Sequence, residues 1–554
     1  MSMEREHGWS AVRRGCATVV LTVACTVPVA WAQGAASQAA GTHVAADTIP
    51  LAQTIGTLLA DPKIAGAHWG ISVTQMDGSP VYALNDGQLF QPASNVKLFT
   101  TAAALGLLGP TQFFTTEVTA FGVLSDREHF KGNLSLSGHG DANLSGRAIP
   151  YIPNGGEENP PLRYLEEMAD QIAKTGVKVI DGDIVGFSAF PNQPYGEGWN
   201  VDDLPWGYGA PVSGLSVNDN QLKLTITPSH VLNGHAQLDL SPQIPYYTIE
   251  NDVLTGEARS NTAIYIERAP GAKLVRLYGN IALKAEPDIE HISIDDPAEF
   301  AAIALKQLLE QRGITITGSA REIHNTVTDP RSLREISHLP LYLLGMKTGL
   351  SAIREDSRLC PMPCAPSTSP QHILLARHNS PSLLDDVIVT NKVSQNLHAE
   401  IMLRQLGFWS TMVGSFAQGA RVVRQFAIDA GVKGDDFYFV DGSGLSTYDL
   451  AAPRAFTQLL RYAATQTWGA DWKSSLPVGG VDGSLEHRFT EAPLKGKVFA
   501  KTGTLSEDRA LSGYLVCASG KTVVFSILVG NHLPGSHADR DAMDKIVAAV
   551  AAAN

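Results

Sequence analysis

The sequence changes its periodicity twice, and this arrangement limits the folds that the chain can adopt. Residues 49–112 and 383–554 combine helical periodicity with apolar strand patterns, whereas residues 113–382 are richer in short strands and turns. The outer segments predict an N-terminal helix, two strands, a block of helices, three strands and a C-terminal helix. Because 554 residues have room for roughly three domains, we expect the outer segments to form one α/β domain that the middle interrupts.

The interrupting part is itself predicted to be divided. Residues 113–222 and 283–382 place helical segments next to strand patterns, which favours an α/β domain. Residues 223–282 alternate between apolar and polar side chains almost throughout and predict a small β domain nested within it. Residues 326–372 are rich in proline and lack periodicity, so we expect an extended surface loop there.

The N-terminus has the pattern of an export signal. In residues 1–32, Arg13 and Arg14 precede an apolar run, which is followed by the small-residue cleavage site Ala-Trp-Ala. Cleavage is favoured over a membrane anchor because the run is short and is interrupted by Pro28. The mature chain would begin near Gln33 in the periplasm without a stable membrane span, and residues 33–48 would form a flexible lead.

Charge and cysteine content narrow the functional classes. The formal net charge is −13 and no basic patch is present, which argues against nucleic acid as a partner. Three cysteines remain after the signal, and an oxidising compartment would permit a local bridge between Cys360 and Cys364, with Cys517 as a buried thiol. The sequence has no CxxC pair and no HExxH motif, so we assign no metal and no cofactor.

Ser94 and Lys97 stand at the start of an apolar segment that predicts a buried helix. At a spacing of three residues, both side chains lie on one helical face. A lysine amine in an apolar setting loses its proton more readily and can then accept the proton of a neighbouring hydroxyl, which makes the serine a nucleophile. The S-x-x-K pattern alone is expected about once by chance in a chain of this length.

Two further motifs turn this pair into a predicted site. Ser394-Gln395-Asn396 lies within residues 383–407, which predict helix, and Lys501-Thr502-Gly503-Thr504 ends a predicted strand. The order S-x-x-K, S-x-N, K-T-G is the signature of the penicillin-interacting serine enzymes. A second K-T-G at residues 347–349 precedes S-x-N and lies in the proline-rich loop, so its position argues against it.

The resemblance extends well beyond the three motifs. The chain resembles the D-alanyl-D-alanine carboxypeptidase/endopeptidase family of penicillin-binding protein 4 type in these blocks: PASNVKLFTTAAALGLLGP, GDANL, YGAPVSGLSVNDNQ, NKVSQNLHAEIMLRQLG, VDGSGLSTYDL, LPVGGVDGSLEHRF and KVFAKTGTL. The resemblance implies a penicillin-binding, serine β-lactamase-like transpeptidase fold, with an antiparallel sheet flanked by helices and two nested inserted domains, one α/β and one mostly β. The chain departs from the family in its long proline-rich loop and in Gln395, where the family often has Asp. We expect little cost at Gln395, because that side chain points away from substrate in the family.

Chemistry and the resemblance together imply a role for each motif residue. Acyl transfer needs a nucleophile, a base, an oxyanion site and a grip on the substrate. The expected catalytic residues are Ser94 as nucleophile, Lys97 as base and Ser394 as proton relay, and the expected substrate-binding residues are Asn396, Lys501, Thr502, Gly503 and Thr504. The charge of Lys501 is expected to raise the neutral fraction of Lys97. By resemblance, the backbone N–H groups of Ser94 and Thr504 form the oxyanion hole.

The leading hypothesis is a periplasmic serine peptidase that trims or cleaves peptidoglycan stem peptides, by carboxypeptidation, by endopeptidation of cross-links, or both, and that β-lactams inhibit. One alternative is a β-lactamase, which the sequence disfavours because no ExxLN segment supplies a deacylating glutamate. The other is a catalytically idle peptidoglycan-binding protein, which the intact motif residues disfavour.

Several other polar residues are predicted to be structural. His398 follows the S-x-N asparagine by two positions, which places it on another helical face. Residues 441–444 (Asp-Gly-Ser-Gly) predict a turn, and Asp141 is expected to lie in a turn of the inserted domain. Asp385 and Asp386 are expected to lie on a solvated helix face.

Overall fold

The computed structural model describes residues 49–126, 128–153, 159–327, 329–339, 341 and 371–554. The predicted signal, the flexible lead, Cys360, Cys364 and the second K-T-G lie outside these described residues, as does most of the proline-rich loop. Among the described ranges, no helix has both the length and the apolar character needed to cross a lipid bilayer.

The helices of the described chain are α1 (Ile49–Leu59), α2 (Val96–Leu108), α3 (Arg163–Ala173), α4 (Pro297–Gln311), α5 (Leu333–Ile336), α6 (Leu383–Lys392), α7 (Asn396–Thr411), α8 (Phe416–Asp429), α9 (Pro453–Ala464), α10 (Gly469–Ser475) and α11 (Ala538–Ala553). The strands are β1 (His68–Gln75), β2 (Pro80–Leu84), β3 (Thr115–Leu124), β4 (His129–Gly138), β5 (Val179–Asp181), β6 (Ile184–Pro191), β7 (Gln221–Thr227), β8 (Gln237–Ser241), β9 (Thr248–Gly256), β10 (Ala263–Glu267), β11 (Leu274–Ala282), β12 (Asp288–Ser293), β13 (Thr315–Ile316), β14 (Ala320–Asn325), β15 (Gln371–Asn379), β16 (Phe437–Tyr438), β17 (Leu450–Ala451), β18 (Val498–Thr504), β19 (Arg509–Val516) and β20 (Thr522–Gly530).

One antiparallel sheet joins the two ends of the chain, in the strand order β18–β19–β20–β1–β2. Strand β20 is buried along nearly its whole length, since helices cover both faces of the sheet. An apolar core on one face includes side chains of α1 and α11, and the core on the other face includes side chains of α2 and of α6 to α10. This arrangement confirms the predicted antiparallel sheet flanked by helices.

Helix α2 lies inside the larger of these cores. Its sequence VKLFTTAAALGLL has small or apolar residues on every face, which is typical of a helix surrounded by protein. Phe99 packs against three aromatic rings at centroid distances of 5.0 to 5.6 Å: Phe437, Phe439 and Phe456. The helix that carries the S-x-x-K lysine is therefore fixed on all sides.

The segment between the outer parts forms three further sheets. The largest contains β13, β5, β4, β3 and β15 with β6 and β14, and two three-stranded sheets have the orders β12–β7–β8 and β10–β11–β9. The strand patterns expected in residues 223–282 all appear there, while β12 pairs with β7 from outside that range. One apolar core runs through the three sheets and helices α3 and α4. The division into domains stays a prediction.

The structure corrects one predicted helix. Residues 383–407 do not form one continuous helix, because α6 ends at Lys392 and α7 begins at Asn396. Ser394 lies in this break with a φ of 60°, a left-handed conformation that no helix interior allows. The S-x-N motif is thus presented on a short irregular turn between two helices.

Candidate active site

The three motifs meet where α2, the α6–α7 turn and β18 come together. Lys97 Nζ donates to Ser94 Oγ at 2.9 Å and to Asn396 Oδ1 at 2.6 Å. Lys501 Nζ donates to Ser394 Oγ at 2.9 Å. The structure thus brings five of the sequence-predicted residues together in two neighbouring hydrogen-bonded groups.

Ser94 is held by a short 3₁₀ turn, Ala93–Asn95, that leads into α2. The turn is anchored to the sheet because Asn95 Nδ2 donates to Ser512 Oγ at 2.7 Å, and Ser512 donates in turn to Ser526. Strand β18 approaches the same turn closely at Gly503, where an added Cβ would lie 2.8 Å from the Pro92 carbonyl oxygen. The absence of a side chain at Gly503 therefore allows β18 to pass beside the serine.

Lys97 is fully buried, and its amine has three acceptors. Besides Ser94 and Asn396, the carbonyl oxygen of Ser443 accepts from Nζ at 2.8 Å. Burial lowers the pKa of Lys97 from 10.5 to about 7, although the carboxylates of Glu400 and Asp441 act in the opposite direction. The main cause of the low pKa is therefore burial rather than the charge of Lys501 that the sequence suggested.

Lys501 is also fully buried, and its amine donates to the carbonyl oxygen of Thr502 at 2.8 Å as well as to Ser394. Burial lowers the pKa of Lys501 well below 10.5, and the nearby charge of Lys97 lowers it further. Thr502 Oγ1 lies 2.7 Å from Ser484 Oγ, and Thr504 is exposed at the end of β18. This edge of the site presents hydroxyl groups beside an amine that donates hydrogen bonds, which is a suitable environment for a carboxylate.

Sequence reasoning missed the contribution of the turn at residues 441–444. Its Ser443 carbonyl oxygen accepts from Lys97 Nζ, and the two oxygens of Glu400 accept from the backbone N–H groups of Gly442 and Ser443 at 2.8 and 2.7 Å. Glu400 is fully buried, and burial raises its pKa to about 8. The turn was predicted correctly, but no residue pattern shows that a backbone carbonyl will face a particular lysine.

His398 does not touch the site, and its ring is buried between two carboxylates. Nδ1 lies 2.6 Å from Asp386 Oδ1, and Nε2 lies 3.2 Å from Asp219 Oδ1. Burial alone would lower the pKa of His398, but these carboxylates outweigh it and raise the pKa to about 9. The predicted solvated position of Asp386 is wrong, since that residue is only 4% exposed.

Asp141 is fully buried, and burial raises its pKa to about 7.

Two other groups of side chains stand apart from the site. In the described part of the chain, Asp296, Glu322 and His324 have possible metal-ligating atoms within 4.8 Å of one another, on the inserted segment. Asp296 Oδ1 caps α4, and Asp296 Oδ2 lies 2.7 Å from His324 Nε2, so Asp296 and His324 already have a structural role. Cys517 is a buried free thiol directly after β19, and burial raises its pKa to about 11.

An antiparallel sheet between helical layers, with a serine beside a buried lysine, a second serine–lysine pair and an asparagine, defines a serine enzyme of the class whose signature is S-x-x-K, S-x-N and K-T-G. The chain belongs to the D-Ala-D-Ala carboxypeptidase 3 (S13) family, whose profile matches residues 51–344 and 364–553. Membership confirms the resemblance inferred from the motifs and the serine peptidase class of the enzyme.

Relatives and a solved structure agree with this assignment. The chain is 28% identical over 541 residues to the D-alanyl-D-alanine carboxypeptidase of Actinomadura sp. (strain R39), covering 95% of this chain and 89% of the relative. It is 23% identical over 482 residues to D-alanyl-D-alanine carboxypeptidase DacB of Haemophilus influenzae, covering 85% of this chain and 87% of the relative. The crystal structure of penicillin binding protein 4 from Haemophilus influenzae superposes with a TM-score of 0.71 at 22% identity, over 89% of this chain and 97% of that one. A second crystal structure of that protein, complexed with a novel β-lactam, has a TM-score of 0.66.

Proposed function

We propose that the chain is a D-Ala-D-Ala peptidase of peptidoglycan that acts through an acyl ester on Ser94. The observation that carries the proposal is the position of Lys97 Nζ, which is fully buried and 2.9 Å from Ser94 Oγ. The substrate class is a stem peptide that ends in D-Ala-D-Ala, as the names of the relatives suggest.

The contacts of Lys97 explain how it acts as a base. The oxygens of Asn396 and Ser443 that face its amine are acceptors only, so they bind two of its hydrogens. In the neutral amine, the lone pair then faces Ser94 Oγ. Lys97 takes the proton of Ser94 while Oγ bonds to the carbonyl carbon of the penultimate D-Ala. A pKa of about 7 lets a large share of the amine be neutral at physiological pH.

Ser394 completes the acylation step. When the scissile C–N bond breaks, the amine of the departing D-Ala takes a proton from the Ser394 hydroxyl, and the proton held on Lys97 replaces it. Lys501 donates to Ser394 Oγ and orients its hydroxyl toward the leaving group. Water then hydrolyses the ester with Lys97 again as base, which releases the shortened peptide and regenerates Ser94.

The remaining motif residues hold the substrate. Asn396 binds the amide backbone of the peptide and keeps Lys97 in place, and the terminal carboxylate lies against Lys501, Thr502 and Thr504. The backbone N–H groups of Ser94 and Thr504 receive the oxyanion. Gly503 leaves room for the peptide to run alongside β18.

A β-lactam would acylate the same serine, because its strained amide takes the position of the D-Ala-D-Ala bond. Penicillin binding protein 4 from Haemophilus influenzae, which has the same fold, is known in complex with a β-lactam. Export through residues 1–32 would bring the enzyme to the periplasm, where it would release terminal D-Ala and, on cross-linked wall, cleave the cross-links.

Covalent labelling tests the proposal. The purified mature protein is incubated with fluorescent penicillin, and its release of D-Ala from a pentapeptide is measured in parallel. We expect one stable label per chain on the tryptic peptide that contains Ser94, and neither label nor D-Ala release from Ser94→Ala. A matched control is Ser519→Ala, which removes an exposed hydroxyl in the turn between β19 and β20.

Three results would contradict the proposal in different ways. A Ser94→Ala protein that still takes up label would exclude the acyl-serine mechanism. Rapid loss of the label with turnover of a chromogenic cephalosporin would indicate a β-lactamase. A folded wild-type protein that neither labels nor releases D-Ala would indicate an idle binding protein.

A further inference from the structure

Residues of the inserted segment form hydrogen bonds with the turn that carries the S-x-N motif. Gln395 Nε2 donates to Asp219 Oδ2 at 3.1 Å, and Asn396 Nδ2 donates to the carbonyl oxygen of Tyr208 at 2.8 Å. Asp219 and Tyr208 both belong to the stretch between β6 and β7, which is outside the sheet that carries Lys501. The conformation of a catalytic motif therefore depends on residues that lie more than 170 positions earlier, since Gln395 and Asp219 are 176 positions apart.

The backbone around Asp219 fixes the direction in which its carboxylate points. Asp219 is only 4% exposed, and its backbone is left-handed with a φ of 54°, as are those of its two neighbours Asn218 and Asn220. This strained turn is fixed by further bonds: the N–H of Asn218 donates to Leu144 O at 2.9 Å, and Asn220 Nδ2 donates to Pro211 O at 2.9 Å. Three consecutive residues in this uncommon region indicate a turn whose geometry its surroundings enforce.

The carboxylate of Asp219 then contacts residues on both sides of the motif asparagine. Oδ2 accepts from Gln395, one position before Asn396, and Oδ1 lies 3.2 Å from Nε2 of His398, two positions after it. Arg147 Nε also donates to Oδ2 at 2.8 Å. A single buried carboxylate thus clamps the first turn of α7 from both ends.

Gln395 also connects Asp219 to the backbone of α7. Its Oε1 accepts from the backbone N–H of Leu397 at 3.1 Å, so the side chain caps α7 while its Nε2 binds Asp219. An aspartate at position 395 would place a second carboxylate against Asp219. The glutamine is therefore suited to this partner.

We infer that Asp219 is a positioning residue for the S-x-N motif: by binding Gln395 and His398 it sets the directions in which Ser394 and Asn396 face Lys501 and Lys97. The effect reaches the chemistry because Asn396 Oδ1 holds the amine of Lys97 at 2.6 Å, and Lys501 holds Ser394 Oγ at 2.9 Å. This inference rests on the proposed function, since it assigns Asp219 a role in the same acylation step.

Three variants test the inference. Asp219→Asn keeps the size of the side chain and removes its charge, and Gln395→Ala removes one arm of the clamp from a partly exposed position. Asp296→Asn is the matched control, because Asp296 is also an aspartate of the inserted segment paired with a histidine, His324, but it caps α4 instead of contacting the motif. The rate of acylation at saturating fluorescent penicillin is measured well below the Tm of each variant, together with the penicillin concentration for half-saturation.

We expect Asp219→Asn to lower the saturating acylation rate by at least about tenfold, because a misplacement of about 1 Å can cost about a hundredfold. Gln395→Ala should lower it by about threefold to tenfold, and adding Gln395→Ala to Asp219→Asn should lower it little further, as for two residues that act through one contact. The half-saturation concentration should change less than the rate, and Asp296→Asn should stay within about twofold of wild type on both measures.

The inference is overturned if Asp219→Asn and Gln395→Ala, both folded, acylate within about twofold of wild type. It is also overturned if they lower Tm alone and leave the acylation rate unchanged, because that is the result of a purely structural role. If Asp219→Asn does not fold, Gln395→Ala decides by the same criteria. Failure of the proposed function is distinguishable, since the wild-type protein itself would then take up no label.

Discussion

Lys97 Nζ lies 2.6 Å from Asn396 Oδ1, although the two residues are 299 positions apart in the sequence. The lysine comes from the segment before the inserted sheets and the asparagine from the segment after them. The hydrogen bonds of Lys97, the proposed base, therefore form only when the two outer segments have folded together. The same folding buries Lys97 and lowers its pKa.

The first prediction concerns pH. Lys97 must be neutral to accept the proton of Ser94, and burial lowers its pKa to about 7. The acylation rate should therefore rise as the pH increases through about 7 and level off above it, because the neutral fraction of a group rises with pH through its pKa. The second-order rate of labelling by fluorescent penicillin from about pH 5 to about pH 9 measures this. A rate that is flat or that falls across the window would contradict the assignment of Lys97 as base.

Much of the architecture could be predicted because it follows from local patterns. The predicted N-terminal helix is α1 (Ile49–Leu59), and the two predicted strands follow it as β1 and β2. The order of the three motifs also predicted that Ser94, Ser394 and Lys501 would meet. These signals are carried by residue type and spacing alone.

The rest depends on contacts between distant segments. Asp386 has the sequence context of a solvated acidic residue, and only the approach of His398 and Asp219 makes it a buried partner. No glycine or proline marks the break at Ser394 in the sequence. Its left-handed backbone lies between hydrogen bonds to distant residues, from Gln395 to Asp219 and from Lys501 to Ser394. The contact of the Ser443 carbonyl oxygen with Lys97 could not be predicted, because every residue type has a backbone carbonyl group.

The second prediction concerns Gly444, which packs against the turn that carries Ser94, the proposed nucleophile. Its φ is +80°, and an added Cβ would lie 1.9 Å from the carbonyl oxygen of Ala93, the residue before Ser94. Gly444→Ala should displace that turn and lower the acylation rate by about tenfold or more, given the sensitivity of such reactions to small displacements. Rates of penicillin labelling and of D-Ala release both report the effect.

Gly496→Ala is the control for backbone strain. Gly496 has a similar φ of +71°, but an added Cβ there would meet nothing within 4 Å. This variant should lose only about 1 to 2 kcal/mol of stability from the left-handed backbone, and its acylation rate should match the wild type. Equal activities for the two variants would show that contact with Ala93 is unimportant.

The third prediction compares a buried with an exposed ion pair. Lys392, two residues before Ser394, donates to both oxygens of Asp482 at 2.7 and 2.8 Å, and the two side chains are 6% and 13% exposed. Lys392→Met leaves that carboxylate buried without its cation and should lower the free energy of unfolding by about 3 to 5 kcal/mol. Arg276→Met opens the Arg276–Glu250 pair, which is 61% and 51% exposed, and should cost less than about 1 kcal/mol. Urea denaturation of the three proteins measures both values, and similar losses for the two variants would refute the distinction.

The fourth prediction concerns the core around α2. Phe99 is fully buried against the rings of Phe437, Phe439 and Phe456, one turn after Ser94. Phe99→Ala would leave a cavity among these rings and should lower the free energy of unfolding by about 3 to 5 kcal/mol. Phe121→Ala removes a ring that is 41% exposed on β3 and should cost less than about 1 kcal/mol. Because Lys97 lies on the same helix, the folded fraction of Phe99→Ala should also acylate more slowly at a temperature well below its Tm. A Phe99→Ala protein with wild-type stability and rate would show that packing around α2 does not hold the serine–lysine pair in place.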